Sequence, residues 1–201
     1  FFSIPAFFGI LFLSEEIIKF LFFRGEFDLT DVSLTAKALV ALGFGLPAFI
    51  LIKILVVPFF ANENTKTPIQ ISVFCMIVNL ILNLILIGKF LHVGLAIATS
   101  VSAWINVIIL SYYLFFKQKY SLNKSIIKLF LKVLFSSLLM SGVLYLIMKK
   151  NILSFIGFDI QSINLLLLIS IFFGIITYFF SSYLLGVERL YDRKWNQKSG
   201  K

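Results

Sequence analysis

Apolar positions run along this chain in stretches long enough to cross a bilayer, broken by short polar connections. A hydrocarbon core takes about 20 helical residues per crossing. Six segments qualify, the first of them shortened: Phe1 to Leu13, Ala36 to Phe60, Pro68 to Ile87, Val93 to Phe116, Ile126 to Met148, and Ser162 to Leu185. Between the first two, Glu15 to Phe23 reads EEIIKFLFF and predicts a short interfacial helix that ends at Arg24-Gly25. Asp31, just ahead of Ser33 and Leu34, is the expected cap of the second span. In ANENTKTP, Asn64 or Thr65 begins a turn, with Thr67 as N-cap and Pro68 as first helical residue of the third span. The expected fold class is all-α: a polytopic membrane helix bundle of about six transmembrane helices.

Polar residues recur inside these spans with helical spacing. In the third, Ser72, Met76, Asn79 and Asn83 follow i, i+4, i+7, i+11, which is one helix face. In the fourth, Leu95, Thr99, Ser102 and Asn106 repeat that spacing. The connection from Gly88 to His92 is short, so the two spans should pack antiparallel. Counting outward from the turn sets Asn83 near Thr99, Asn79 near Ser102, and Ser72 near Asn106. Amides left facing lipid would be unsatisfied, so the stripes should face each other or the bundle interior. Two readings stand. The stripes are interhelical hydrogen-bond glue, at about 0.6 to 2 kcal/mol per contact. Alternatively the oxygens of Asn79, Asn83, Thr99 and the Leu95 carbonyl are hard ligands for a small cation. Neither helix carries a carboxylate to join them.

Elsewhere the pattern breaks in fewer places. Gly43, Gly45 and Pro47 interrupt the second span, either as a static packing bend or as a hinge for alternating access. Lys53 lies about 12 Å of helical rise before Ala61. It either snorkels to the interface or faces a cavity where it meets the phosphates of an anionic substrate. The last span carries Ser170, Gly174, Thr177 and Ser181 on one face, and the fifth carries Ser137 and Ser141. Small residues in these positions let helices approach closely.

Composition agrees with a membrane chain. Hydrophobic residues make up 60% of 201 and charged residues 13%, about half the charged share of a soluble domain. Mean hydropathy is +1.03. The net charge of +9 does not mark a nucleic-acid binder, because the lysines and arginines cluster in connections and in the tail. One face would carry Lys66, Lys117, Lys119, Lys124, Lys128, Lys132 and the tail cations Arg189, Arg193, Lys194, Lys198 and Lys201. The other would carry Arg24, Lys37, Lys89, Lys149 and Lys150 together with Glu26, Asp28, Asp31 and Asp159. The denser set predicts a cytoplasmic C-terminus, with the basic tail against anionic headgroups of the membrane lipids. The single cysteine, Cys75, supports neither a disulfide nor a metal framework. The chain opens in mid-helix without an initiator Met, which predicts the C-terminal portion of a longer protein.

At FFRGEF, GLPAFILIKILVVPFFANENTKTP, NLILNLILIG and GLAIATSVSAWINVIIL the chain resembles the MurJ/MviN family of bacterial lipid II flippases, within the MOP exporter superfamily. The resemblance covers most of Phe1 to Phe116. It implies the ninth to fourteenth spans of a two-lobed, fourteen-span transporter in the cytoplasmic (inner) membrane, whose earlier spans belong to an N-terminal lobe missing here. In those terms residues 1–116 are C-terminal-lobe spans, 117–186 two extra spans, and 187–201 a basic cytoplasmic tail. Some family members hold a sodium ion in this lobe, and Asn79, Asn83, Leu95 (through its carbonyl) and Thr99 fall on four of those positions. The family pattern can carry Asp where Asn83 stands. The implied substrate is an undecaprenyl-pyrophosphate-linked peptidoglycan precursor, its tail held in an apolar groove of the last two spans. Lys53 and Pro47 are the substrate or gating candidates.

Other functions are less favoured. A polysaccharide or multidrug exporter of the same superfamily would not call for the ANENTKTP and NLILN matches. A membrane enzyme acting on polyprenyl phosphates needs clustered acids or His at one face. Here Glu26, Asp28, Asp31, Glu63 and Asp159 are scattered and His92 stands in a turn, so no catalytic residue and no required cofactor is expected. A non-transporting scaffold would leave every polar stripe as packing.

Overall fold

The structure, a computed structural model, describes residues 1–117, 124–148 and 163–187. Lys119, Lys149, Lys150, Asp159 and the cations of the basic tail lie outside the described residues. Among the described residues five helices follow in order: α1 (Ser3–Phe22), α2 (Leu29–Ala61), α3 (Lys66–Tyr112, continued by a π-helical turn at Tyr113–Lys117), α4 (Lys124–Met148) and α5 (Ile163–Leu184). Among the described residues every regular element is helical. α2, α3 with its π turn, α4 and α5 are long and apolar enough to cross a membrane. Their surfaces carry large apolar side chains such as Leu84 at 70% and Phe116 at 73% exposure. A surface of that kind needs lipid, not water, around it.

By packing, the chain divides into two units, one of Phe1–Leu21 with Leu122–Lys201 and one of Phe22–Ser121. This grouping differs from the sequence partition at residue 116, because α1 packs with α4 and α5. Leu13 of α1 shares a buried cluster with Met140 and Leu144 of α4 and Leu167 and Tyr178 of α5. The separate interfacial helix expected at 15–23 is absent, and those residues form the last turns of α1. Nothing between Leu13 and Phe22 breaks a helix, and Glu15 pairs with Lys19 one turn on at 3.8 Å.

α4 and α5 meet through serines. Ser136, Ser137 and Ser170 are fully buried, and Ser141 and Ser181 nearly so. Ser137, Ser141, Ser170 and Ser181 donate to carbonyls three or four residues back in their own helices, at 2.8 to 3.0 Å. These four act as small residues that satisfy themselves, whereas Ser136 Oγ is buried without a hydrogen-bond partner. At the end of the pair, Lys132 of α4 donates to the Leu185 carbonyl just past α5, where Gly186 (φ +62°) turns the chain out of the helix.

The second unit is α2 against α3. α2 begins seven residues before the expected Ala36, and its N-cap is Asp28 rather than Asp31. Asp28 Oδ1 accepts from the Thr30 and Asp31 amides at 2.8 and 2.9 Å, and Asp31 accepts from the Asp28 amide at 3.2 Å. Asp31 is the third helical residue of this capping box. Two prolines, Pro47 and Pro58, lie inside α2 without ending it.

α3 is two helices on either side of Leu91, whose φ of 50° and ψ of −133° are not helical. A straight helix would hold residues 79 and 102 about 34 Å apart. Instead Asn79 and Ser102 are bonded at 3.1 Å, so the halves fold back as the expected hairpin. Beside the turn, a Cβ on Gly94 would stand 2.7 Å from the Leu86 carbonyl oxygen, a backbone approach that only glycine permits. The entry to α3 also differs from expectation. The helix begins at Lys66 with Thr65 in the cap position and no side-chain cap, while Asn64 accepts from the Thr67 amide at 3.2 Å. Pro68 sits in the first turn, where its missing N–H costs nothing.

The cap of α2 should respond to pH. The Thr30 hydroxyl, then the Asp31 and Thr30 amides, hold the Asp28 carboxylate below its ordinary value. Its contribution is complete above the unfolded-state pKa of about 3.9 and is lost as pH falls through the lower folded value. Protection of the Thr30 and Asp31 amides, measured against their intrinsic exchange rate at each pH, should be high at neutral pH and fall only at strongly acid pH. In Asp28→Ala that protection should be absent throughout.

Candidate functional site

The polar stripes of the α3 hairpin form one connected network. Asn83 Nδ2 donates to Asn79 Oδ1 at 3.0 Å, and Asn79 Nδ2 donates across the hairpin to Ser102 Oγ at 3.1 Å. Ser102 passes its own proton to the Thr99 carbonyl at 2.9 Å, and Thr99 Oγ1 donates to the Leu95 carbonyl at 2.8 Å. Asn79, Asn83, Thr99 and Leu95 are thus joined, with Ser102 as the link between the two helices. Spacing on one face puts these residues together, and the short turn sets their register.

The pairing expected at the far ends does not form. Ser72 is exposed and lines a cavity of about 310 Å³ with Val56, Phe60, Pro68 and Met76, and no hydrogen bond joins it to Asn106. The reason lies one residue away. Ile71 packs against Phe59 and Leu110 where α2 meets α3, which turns Ser72 about 100° outward. Asn83 bonds Asn79 within its own helix.

Two amide oxygens, Asn83 Oδ1 and Asn106 Oδ1, are buried without a hydrogen-bond partner. An unsatisfied amide oxygen in an apolar setting costs about 1 to 3 kcal/mol. Each is open to a further hydrogen-bond donor or to a cation. Asn83 Oδ1, the Leu95 carbonyl and Thr99 Oγ1 are hard, neutral oxygens, suited to a small cation of low charge. Asn79 Oδ1 already accepts from Asn83. Among the described residues no group of three His, Cys, Asp or Glu side chains could hold a metal, so the donor set does not suit zinc or a redox metal.

The other singled-out residues lie on α2. Pro47 is half-buried within the helix, and Lys53 is exposed without an ion pair or hydrogen bond among the described residues. Residues that spacing did not mark as partners close on the Pro47 turn. Ser100 donates to the Ala41 carbonyl and Trp104 Nε1 to the Phe44 carbonyl at 3.1 Å. Their i, i+4 spacing on α3 was the available signal, but nothing local says which helix they meet.

The sequence profile of the family described as lipid II flippase MurJ matches residues 1–163. This chain belongs to that family. A MurJ relative from Rickettsia prowazekii, described as a probable lipid II flippase, is 39% identical over 186 residues, covering 92% of this chain and 36% of the relative. A probable lipid II flippase MurJ from Vibrio cholerae is 33% identical over 194 residues, covering 96% of this chain and 37% of its own length. A solved structure, lipid II flippase MurJ in an inward closed conformation, superposes with a TM-score of 0.73 at 33% identity. That match covers 91% of this chain and 36% of the solved one, so the chain spans little more than a third of the MurJ relatives it matches. The chain is an all-helical, multi-pass membrane member of a flippase family.

The hairpin network predicts a measurable coupling. Asn79→Leu and Ser102→Ala should each lower the unfolding midpoint in detergent, and their effects should not add. A double-mutant cycle should return a coupling of about 0.6 kcal/mol, the usual worth of such a bond between membrane helices. Strict additivity would mean that the bond contributes nothing.

Proposed function

We propose that this chain forms the C-terminal-lobe part of a lipid II flippase. Such a protein moves an undecaprenyl-pyrophosphate-linked peptidoglycan precursor from the inner to the outer leaflet of the bacterial cytoplasmic membrane. The observation that carries this reading is the half-buried amide network of the α3 hairpin, retained in the lipid-grade sequence of a MurJ family member. The α4–α5 pair, by contrast, carries hydroxyls and no amide at its contact. The protein acts as a transporter and not as an enzyme, by rocking two lobes around a polar cavity while the lipid tail stays in the membrane. Its partners are the precursor, membrane lipids and an N-terminal lobe of the same protein. The C-terminus is cytoplasmic, as the lysine and arginine bias requires.

Within this reading, Asn83, Leu95 and Thr99 hold a sodium ion, with Asn79 supporting Asn83 from one turn away. The ion supplies the charge that the orphaned Asn83 oxygen lacks and ties the two halves of the hairpin together. Lys53 meets the phosphates of the substrate, and Pro47, inside α2, serves the gating motion as a hinge. In the first unit, a cleft of about 380 Å³ lined by Pro5, Gly9, Leu13, Met140, Leu144 and Gly174 is nearly all apolar and suits a polyprenyl tail.

Expression of the intact protein should restore growth to a bacterium depleted of its own flippase and clear lipid II from the inner leaflet. Retention of lipid II inside would reject the transport reading. Flipping should rise with sodium in the parent and lose that dependence in Asn83→Leu; equal dependence in both would remove the ion site. Lys53→Gln should slow flipping at unchanged protein level, and an unaltered rate would assign Lys53 to the interface alone.

A further inference from the structure

Pro5 lies buried in the first turn of α1 and has no amide proton. Phe1 stands four residues before it, and in helical order the Phe1 carbonyl would accept from the amide at position 5. Pro5 cannot supply that bond, and among the described residues no main-chain amide reaches the oxygen. A side chain does. Tyr178 of α5 donates its hydroxyl to the Phe1 carbonyl at 2.9 Å. The missing donor and its replacement meet at one atom, although Phe1 and Tyr178 are 177 residues apart in sequence.

Packing holds the tyrosine in place for this bond. Tyr178 is 3% exposed, belongs to the buried cluster of Leu13, Met140 and Leu144, and rests against the Phe1 ring with centroids 5.3 Å apart. A tyrosine buried to that degree needs a partner for its hydroxyl, whereas a phenylalanine would fill the same space without one. The same two helices wall the apolar cleft of about 380 Å³ in the first unit. Pro5, Gly9 and Leu13 recur every fourth residue along α1, and Ser170, Gly174 and Tyr178 do so along α5. A Cβ on Gly9 would meet nothing within 4 Å, so α1 leaves open space one turn beyond Pro5. Pro5 and Tyr178 thus line the cleft, and each has a part in the bond beside it.

We propose that Tyr178 takes the place of the main-chain donor that Pro5 lacks and by that bond fixes α1 against α5 as walls of the cleft. A proline here leaves an acceptor open to another helix, and the tyrosine turns it into a tie. Between nearly apolar walls a hydrogen bond supplies the direction that dispersion contacts lack. The tie holds the walls without filling the space between them. Tyr178 is a positioning residue: its one proton goes to the main chain and not to an occupant. The proposal rests on the polyprenyl-tail reading above only for what occupies the cleft.

The test is a double-mutant cycle in the intact protein in detergent. Tyr178→Phe keeps the ring and removes the donor, and Pro5→Ala puts a main-chain amide back four residues after Phe1. With Pro5 present, Tyr178→Phe should lower the ratio of folded to unfolded protein about threefold, the effect of one membrane hydrogen bond. With Pro5→Ala it should change that ratio little, because the carbonyl then has a main-chain donor. Equal losses in both backgrounds would make Tyr178 a packing residue and overturn the tie, as would no loss with Pro5 present. An isotope label on the tyrosine Cζ carbon, read by NMR, gives a second measurement that packing alone would not move. The Tyr178 signal, assigned by its disappearance in Tyr178→Phe, should shift in Pro5→Ala as the new amide competes for the carbonyl; an unmoved signal would also overturn the tie. Undecaprenyl phosphate in nanodiscs is the probe for the cleft. Tyr178→Phe should weaken its binding with Pro5 present and leave it unchanged with Pro5→Ala. A coupled cycle in unfolding with probe binding unaltered throughout would keep the tie and remove the tail from the cleft.

Discussion

Hydrocarbon offers no hydrogen-bond partner, so each polar group that a helix carries into it must be answered by another protein atom. The organisation of this chain follows from how that demand is met at each place. Apolar side chains set which segments enter the membrane, but lipid competes for them as well as a neighbouring helix does. What makes one helix choose another is the polar minority and the small residues that let backbones come close.

The two packing units meet the demand in different ways. Between α4 and α5 four serines bond back into their own helices, Ser170 also reaches Met148 Sδ at 3.6 Å, and Ser136 Oγ is left without a partner. In the α3 hairpin the groups are amides, which have too many donors and acceptors to satisfy alone, and they reach across to Ser102. Amides still leave something over. The oxygens of Asn83 and Asn106 stay unpartnered, and so does Ser136 Oγ in the other unit.

Much of this was legible in residue order. The expected spans correspond to helices, and the register of the hairpin placed Asn79 opposite Ser102 because a short turn and a fixed period leave little choice. Caps were harder. Asp28, Thr30 and Asp31 offer several starts within one turn, and which carboxylate closes on the amides depends on a geometry that the residue list does not contain. Glu15 and Glu16 end the apolar run, but no backbone breaker accompanies them, so α1 continues through both. Least legible was the contact of Ser100 and Trp104 with α2, whose partners lie 59 and 60 residues away. Local periodicity carries no information at that range.

The turn at Leu91 bears on how such a chain comes to be made. A lone span holding Asn79 and Asn83 would meet the lipid with open amides as it left the insertion machinery. Its partner follows within a few residues, and Gly94 lets the returning backbone settle directly on Leu86. Ser102 is therefore at hand while the first half is still entering, and the two halves are favoured to enter lipid together as a single closed hairpin. The tight backbone corner serves biogenesis first and architecture afterwards.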